Sequence, residues 1–394
     1  MKVLFCTPRL PFPPLKGDQA VSYHRARVLS QKHELHLLSF YQDTRELESL
    51  PQLGQIFASV TPVRLSRLQS LANMGVTLFR PSLPLQVGYY RSAQFARELS
   101  RLEQTHNFDL LHVFLLRLAP YLPKVSKPKL VELIDSMELN LERRANEAIG
   151  LKRWVLQEEL RRIRSYEGAA VRTFDAATVV SERDASVLRE PRVQVISLGV
   201  DVSVYSPAEQ TATGSSIIFS GNLSYEPNIT AVQWFMDNCY TALRQRVPEI
   251  KFTVAGANPS KEIARLANEP GVEVTGYVPS MVDALRGAKV AVAPMQTGSG
   301  MQFKILEAMA TGLPVVTTSF GLGSIQARGE VELEVADAPS AFVDKVAGLL
   351  GDAEKRRKMG AAARQFVMDR HSWEEAGRKI DQIYASLARA EFRS

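Results

Sequence analysis

Cysteine is scarce in this chain: Cys6 and Cys239 are the only two among 394 residues. Far apart and outside any ligand spacing, they exclude a disulfide framework and a thiolate metal site, and they read as buried thiols. Long apolar runs are missing too. None approaches the ~18 residues a membrane-spanning helix needs. The apolar core of the opening KVLFCT is too short for a secretion signal before the prolines of PRLPFPP. The expectation is a chain that stays in the cytoplasm. Clusters of Asp or His with metal-ligand spacing are lacking, so no metal and no resident cofactor are implied. The basic residues come without interleaved aromatics, which argues against nucleic acid as a partner.

What is present suits a soluble globular protein, with 45% apolar and 23% charged residues. The length suggests two domains. The net charge of +6 is uneven. Residues 1–205 carry 28 Lys/Arg and 21 Asp/Glu, giving +7, whereas the remainder has 20 and 21, giving −1. A basic front half points to an anionic partner there, with a merely basic surface as the plainer alternative.

Short apolar runs alternate with helical stretches. KVLFCT (2–7), ELHLLSF (34–40), LLHVFLL (110–116), KLVELID (129–135) and DAATVVS (175–181) are strand candidates, and VQVISLGVD (193–201) closes the first half. Their unbroken apolar character fits parallel strands buried on both faces. After the polar linker SPAEQTATG (206–214) the pattern restarts with SSIIFSG, KFTVAGA, GVEVTGYV, AKVAVAPM and LPVVTTS. The fold class expected is α/β, with two doubly wound Rossmann-like domains. They span 1–205 and 215–370, and a C-terminal helix at 371–394 packs on another element.

The most informative stretch is GSGMQFKILEAMATGLPVV (298–316). Ligands in open α/β sheets sit beyond the carboxyl ends of strands. Here a turn of Gly298, Ser299 and Gly300 follows AKVAVAPM and leads into a helix starting near Gly300. Glycine permits close backbone approach, and a helix start offers free N–H groups to a phosphate. Gly300, Lys304 and Glu307 then share one face. Amides and an ammonium suit a diphosphate, and a carboxylate suits sugar hydroxyls. The alternative is an ordinary helix with a Lys/Glu pair. A dinucleotide fingerprint fits poorly, because the third glycine and the acidic residue for a ribose are missing.

This stretch closely resembles the donor-binding motif of GT-B glycosyltransferases, in particular the large retaining family four. The resemblance continues through IIFSGNLSYEPN, FTVAGANP, VEVTGYVPSM and RHSWEEAGRKIDQIY, and in the first half it rests on VLFCTPRLPFPPLKGDQ, FDLLHVFLL and LGVDVSVYSP. It implies two domains facing across a cleft, with the donor on the second. It also implies that Glu307 holds the ribose of a nucleotide diphosphate sugar, a UDP-sugar first of all. Gly300, Met301 and Lys304 would hold the diphosphate, with Gly298 and Ser299 also on the donor side. Gly221 and Asn222 would approach the phosphates, Gly256 and Val278 would line the nucleobase, and Gly17 would face the donor from the first domain. Two departures stand out. Ser299 occupies the place of a glutamate that touches the donor sugar, and GNLSYEPN lacks an Arg and a Lys carried by many relatives.

In such a transfer, charge develops on the leaving phosphate, so Lys304 and the helix start are the first catalytic candidates. His112 corresponds to the first of two histidines in the family's pattern, with Phe114 at the second; the alternative is a core histidine. Asp135 is placed like a general base for an inverting variant. His24, Arg143 and Arg144 are acceptor-side candidates, against plain surface readings. The acceptor expected is a saccharide or a lipid-linked saccharide, as in bacterial exopolysaccharide assembly. Residues 63–86 mix Arg64, Arg67 and Arg80 with Leu68, Leu71, Leu78 and Phe79. Residues 151–167 mix Lys152, Arg153, Arg161, Arg162 and Arg164 with Trp154, Val155 and Leu156. Such segments either lie on an anionic membrane surface, making the protein peripheral on the inner face of the plasma membrane, or cover the first sheet. Rival readings are a nucleotide-sugar epimerase of the same fold and a non-catalytic glycan-assembly subunit.

Overall fold

The computed structural model describes residues 1–14, 17–208, 214–298 and 301–391. Ser299, Gly300 and linker residues 209–213 lie outside the described residues. The chain divides into two compact units, Met1–Leu198 with Ala376–Ser394, and Gly199–Glu375. The division thus falls ahead of position 205. The physical reason is that the stretch after Gly199 is tied into the second unit: Val200 N–H donates to His371 C=O at 2.6 Å, and Arg364 donates to Tyr205 C=O at 3.0 Å.

The first unit is built on a seven-stranded parallel sheet. Its strands are β1 (Lys2–Thr7), β2 (Glu34–Tyr41), β3 (Ser59–Arg64), β4 (Leu110–Phe114), β5 (Lys129–Glu132), β6 (Ala176–Val179) and β7 (Val193–Val195), in the order β3-β2-β1-β4-β5-β6-β7. The strands at the centre are the unbroken apolar runs, since helices cover both faces. In β1, Val3, Leu4, Phe5 and Cys6 are all buried. Strand β3 contains Pro62 and lies at the sheet edge, where a missing N–H costs no ladder bond. The Trp373–Glu391 helix belongs to this unit from Ala376 onward. Ile380, Ile383, Tyr384 and Leu387 form its buried stripe, and Asp381 pairs with Lys32 at 3.0 Å and His33 at 2.9 Å.

A polar chain crosses the centre of this apolar unit. Arg25 Nε donates to Glu132 Oε1 at 2.8 Å, and its Nη2 donates to Ser197 C=O at 3.1 Å. His112 Nε2 lies 3.2 Å from Glu132 Oε2, and Nδ1 lies 2.7 Å from the Tyr384 hydroxyl. Burial pushes the Glu132 carboxyl up, but the Arg25 charge and His112 outweigh it and hold it below its usual range. Burial lowers the His112 imidazole, so the ring is neutral. Nε2–H then faces the carboxylate while Nδ1 accepts from Tyr384 O–H.

The second unit has a six-stranded parallel sheet. It comprises β8 (Ser215–Ser220), β9 (Ile250–Ala255), β10 (Val272–Gly276), β11 (Val290–Ala293), β12 (Val315–Thr317) and β13 (Glu334–Val335), ordered β10-β9-β8-β11-β12-β13. Both sheets reverse their winding beside the first strand of the unit. In the second unit that switch point lies between β8 and β11, and the loops leaving these strands begin at Gly221 and Pro294. No helix among the described residues is long and apolar enough to cross a membrane.

Candidate active site

Three loops meet at the carboxyl ends of β8, β9 and β11. Gly221 and Gly256 have φ of 156° and 153°, and a Cβ on Gly256 would sit 1.7 Å from the Gly221 carbonyl oxygen. Only glycine fits that crossing. Gly298 has φ of 120° and packs on Pro227, 3.2 Å from where its Cβ would be. Asn222 turns the first loop, its Oδ1 accepting from Ser224 N–H at 3.0 Å. Val278 is half-buried past β10, whose Gly276 C=O accepts from Gly256 N–H at 3.1 Å.

The helix after the glycine turn runs from Phe303 to Ala310, starting later than the sequence suggests. Lys304 and Glu307 of the shared-face reading lie on this helix, and Gly300 lies outside the described residues. Met301 packs by its side chain against the apolar cluster beneath. Ile305, Leu306, Ala308, Met309 and Ala310 bury the inner face. Gln302 at its N-cap makes no side-chain cap bond, and of the first-turn amides Ile305 N–H donates to Gln302 C=O at 3.0 Å, leaving those of Phe303 and Lys304 as the candidates to meet a ligand.

Lys304 lies over the Phe219 ring, 4.7 Å from its centroid. Its Nζ donates to Asn228 Oδ1 and stands 3.5 Å from Met295 Sδ. Asn228 in turn donates to Asn222 C=O at 2.8 Å, so one buried amide fixes both the lysine and the glycine loop. Burial lowers the Lys304 ammonium to about 8, against an upward pull from Glu307. Burial raises the Glu307 carboxyl, while a hydrogen bond from the Tyr205 hydroxyl and the Lys304 charge oppose the rise. The site thus holds one ammonium and one carboxylate a helical turn apart, both partly shielded from water.

Asn228 and Tyr205 escaped the sequence reading. Asn228 stood inside the quoted motif SYEPN, but no spacing links it to Lys304, 76 positions away. Tyr205 sits against the linker and reads as part of it.

The first-unit candidates sit on β4, in the loop after β5 and on two helices. His112 is a correction to the catalytic reading: it lies within β4, is fully buried, and has both ring nitrogens facing Tyr384 and Glu132. It is the core histidine of the alternative reading. Asp135 follows β5 in a loop rather than ending the strand, and it is exposed and accepts from Asn140 Nδ2 at 2.8 Å. Surrounding protein raises its carboxyl, Asn140 opposes the rise, Asp184 adds to it, and the Arg143 charge pulls it down. Arg143 is half-buried and Arg144 exposed on the Met137–Glu147 helix. Gly17 is exposed at the start of the Gly17–Leu29 helix, with open space where a Cβ would be. His24, on the same helix, meets Tyr23 edge-on.

Two doubly wound units of this kind define the GT-B fold. Residues 214–352, which lie in the second unit, match the family described as glycosyl transferases group 1. A D-inositol 3-phosphate glycosyltransferase of Corynebacterium urealyticum is 26% identical over 223 residues, covering 50% of this chain and 51% of that protein. The lipopolysaccharide core biosynthesis mannosyltransferase LpsB of Rhizobium meliloti is 26% identical over 240 residues, covering 56% and 68%. The chain spans about half the length of the corynebacterial relatives it matches. Among solved structures, HepE of Anabaena in complex with UDP superposes with a TM-score of 0.69 at 14% identity, covering 98% of this chain and 100% of that one. TarM superposes with a TM-score of 0.66 at 11% identity, covering 97% and 98%.

Proposed function

We propose that this protein is a glycosyltransferase that moves a sugar from a nucleotide diphosphate sugar to a saccharide or lipid-linked acceptor in exopolysaccharide or cell-surface glycan synthesis. The observation that carries the reading is the meeting of Gly221, Gly256 and Gly298 with Lys304 and Glu307 at the second switch point. Backbone there comes close enough for a diphosphate to lie against amides. Lys304 supplies the cation and Glu307 accepts from ribose hydroxyls. Tyr205 O–H now fills the Glu307 carboxylate, in the way a sugar hydroxyl would. The UDP-bound neighbour supports a UDP-sugar as donor.

Transfer at the anomeric carbon leaves a nucleoside diphosphate, whose new charge falls on Lys304 and the Phe303–Ala310 helix start. With phosphate charge met by these groups, we infer a metal-independent transfer, and the likeness of residues 298–316 to the donor motif of a retaining family supports retention of configuration. Asp135, the exposed carboxylate of the first unit, is the acceptor-side candidate, with His24, Arg143 and Arg144 beside it in the proposal.

A thermal-shift panel of UDP-, GDP- and ADP-sugars tests the donor site. A true donor at about 100 times its dissociation constant adds about 2.7 kcal/mol, and Glu307→Ala should remove most of that gain. Equal shifts for Glu307→Ala and the parent would overturn the assignment. Turnover of donor without acceptor would point to an epimerase instead.

A further inference from the structure

The helix Arg67–Leu78 is folded inside out. The residues it buries are Ser70 and Thr77, while Leu68, Leu71, Val76 and Leu78 face solvent. Leu68 is 80% exposed, and Phe79, just past the helix, is 88% exposed. A globular helix normally buries its apolar stripe. Here the polar side is anchored: Thr77 Oγ1 donates to Asn73 C=O at 2.7 Å, and Asn73 Nδ2 donates to Arg91 C=O at 2.7 Å.

A second element continues the same face. Arg162, on the Gly150–Val171 helix, donates to the carbonyls of Thr77 at 3.1 Å and Leu78 at 3.3 Å. Glu159 accepts from Leu85 N–H at 2.9 Å and Gln86 N–H at 3.1 Å. Both side chains are buried, so these bonds fix the two segments as one surface. Val155 and Leu151 lie four and eight residues before Glu159, on the stripe that grips the 77–86 segment. Both are exposed, as are Ile149 and Trp154 next to them.

The charge of this face is of one sign. Residues 49–97 contain no Asp or Glu, and residues 148–157 contain none. Arg64, Arg67, Arg80, Lys152 and Arg153 are exposed among the apolar side chains. A second copy of this chain docking face to face would set these cations against their own kind. An anionic bilayer accepts both components, apolar tips below the headgroups and guanidinium groups at the phosphates.

We propose that the Arg67–Leu78 helix, Phe79 and the start of the Gly150–Val171 helix form a docking face for an anionic lipid bilayer. This inference stands apart from the donor site and survives its failure. The test is co-sedimentation of the full chain with phosphatidylcholine vesicles, with and without roughly one-third phosphatidylglycerol. The expected result is pelleting with the anionic vesicles at low salt, weakened at high salt. The triple variant Leu71→Glu/Phe79→Glu/Trp154→Glu should lose at least about tenfold in partitioning, with an unchanged melting temperature because these side chains are already in water. Replacing Arg67, Arg80 and Arg153 by Gln should abolish the preference for phosphatidylglycerol. Failure of the parent chain to pellet, or equal pelleting of the triple variant, would overturn the proposal. A dimer in sedimentation velocity that the triple variant dissolves, without vesicle binding, would assign the face to a second copy and also overturn it.

Discussion

Lys304→Met should lower kcat/KM for sugar transfer by about 10²–10³-fold, the scale of losing one preorganised donor to developing charge. Methionine keeps the unbranched stem over Phe219, so the second unit should stay folded. On the proposed mechanism the ammonium meets the leaving diphosphate, and the second unit holds it against an apolar ring and a buried amide rather than bulk water. The loss should fall on kcat more than on KM if the contact tightens as the bond breaks. Lys304→Arg should recover only part, because a planar guanidinium cannot take a point charge's place between Asn228 and Met295. Steady-state kinetics of the three proteins decide this; an unchanged kcat/KM in Lys304→Met would remove Lys304 from the mechanism.

The same lysine gives the site a pH dependence. Its folded value is lowered to about 8, below the ordinary lysine value of 10.5. The cation is therefore complete well below pH 8 and is lost as pH rises through 8 in the free protein. Donor affinity, measured by titration calorimetry, should fall across pH 7–9 in the parent on the order of tenfold per unit above the pKa. In Lys304→Met it should be flat over that range. A parallel slope in both proteins would place the titrating group elsewhere.

The sequence disclosed most where burial is two-sided. Strands such as β1 and β8 are continuous apolar runs because parallel strands are covered on both faces. Two of the four edge strands were illegible for the opposite reason: β3 holds Pro62 and half-buried residues, and β13 has two residues. At the site, Lys304 and Glu307 were legible because helical spacing places them locally on one face. Asn228 and Tyr205 were not, since the contacts that give them meaning span long stretches of chain. His112 shows the same limit from the other side. A histidine in an apolar strand reads alike as a catalytic base or a core residue, and Tyr384, 272 positions away, decides for the core.

The core network of the first unit carries the largest stability effect. Arg25→Met should destabilise the protein by about 3–5 kcal/mol, since it strands the Glu132 carboxylate without its cation. Burial pushes that carboxyl up and without Arg25 only His112 opposes it, so the Glu132 value should rise and the unfolding free energy should recover in part as pH falls toward the ordinary carboxylate range. In the parent the sign is reversed. Glu132 is held below its usual value and His112 below 6.5, so both lose stability in acid, His112 as pH falls below 6.5 and Glu132 below about 4.5. Adding Glu132→Leu to Arg25→Met removes the stranded charge, and the double variant should regain much of the loss, with His112 left accepting from Tyr384. Urea denaturation of the two single variants and the double at pH 5 and 7.5 measures the coupling. Additive losses would mean that Arg25 and Glu132 act independently, leaving the carbonyls of Ile196 and Ser197 as what Arg25 holds.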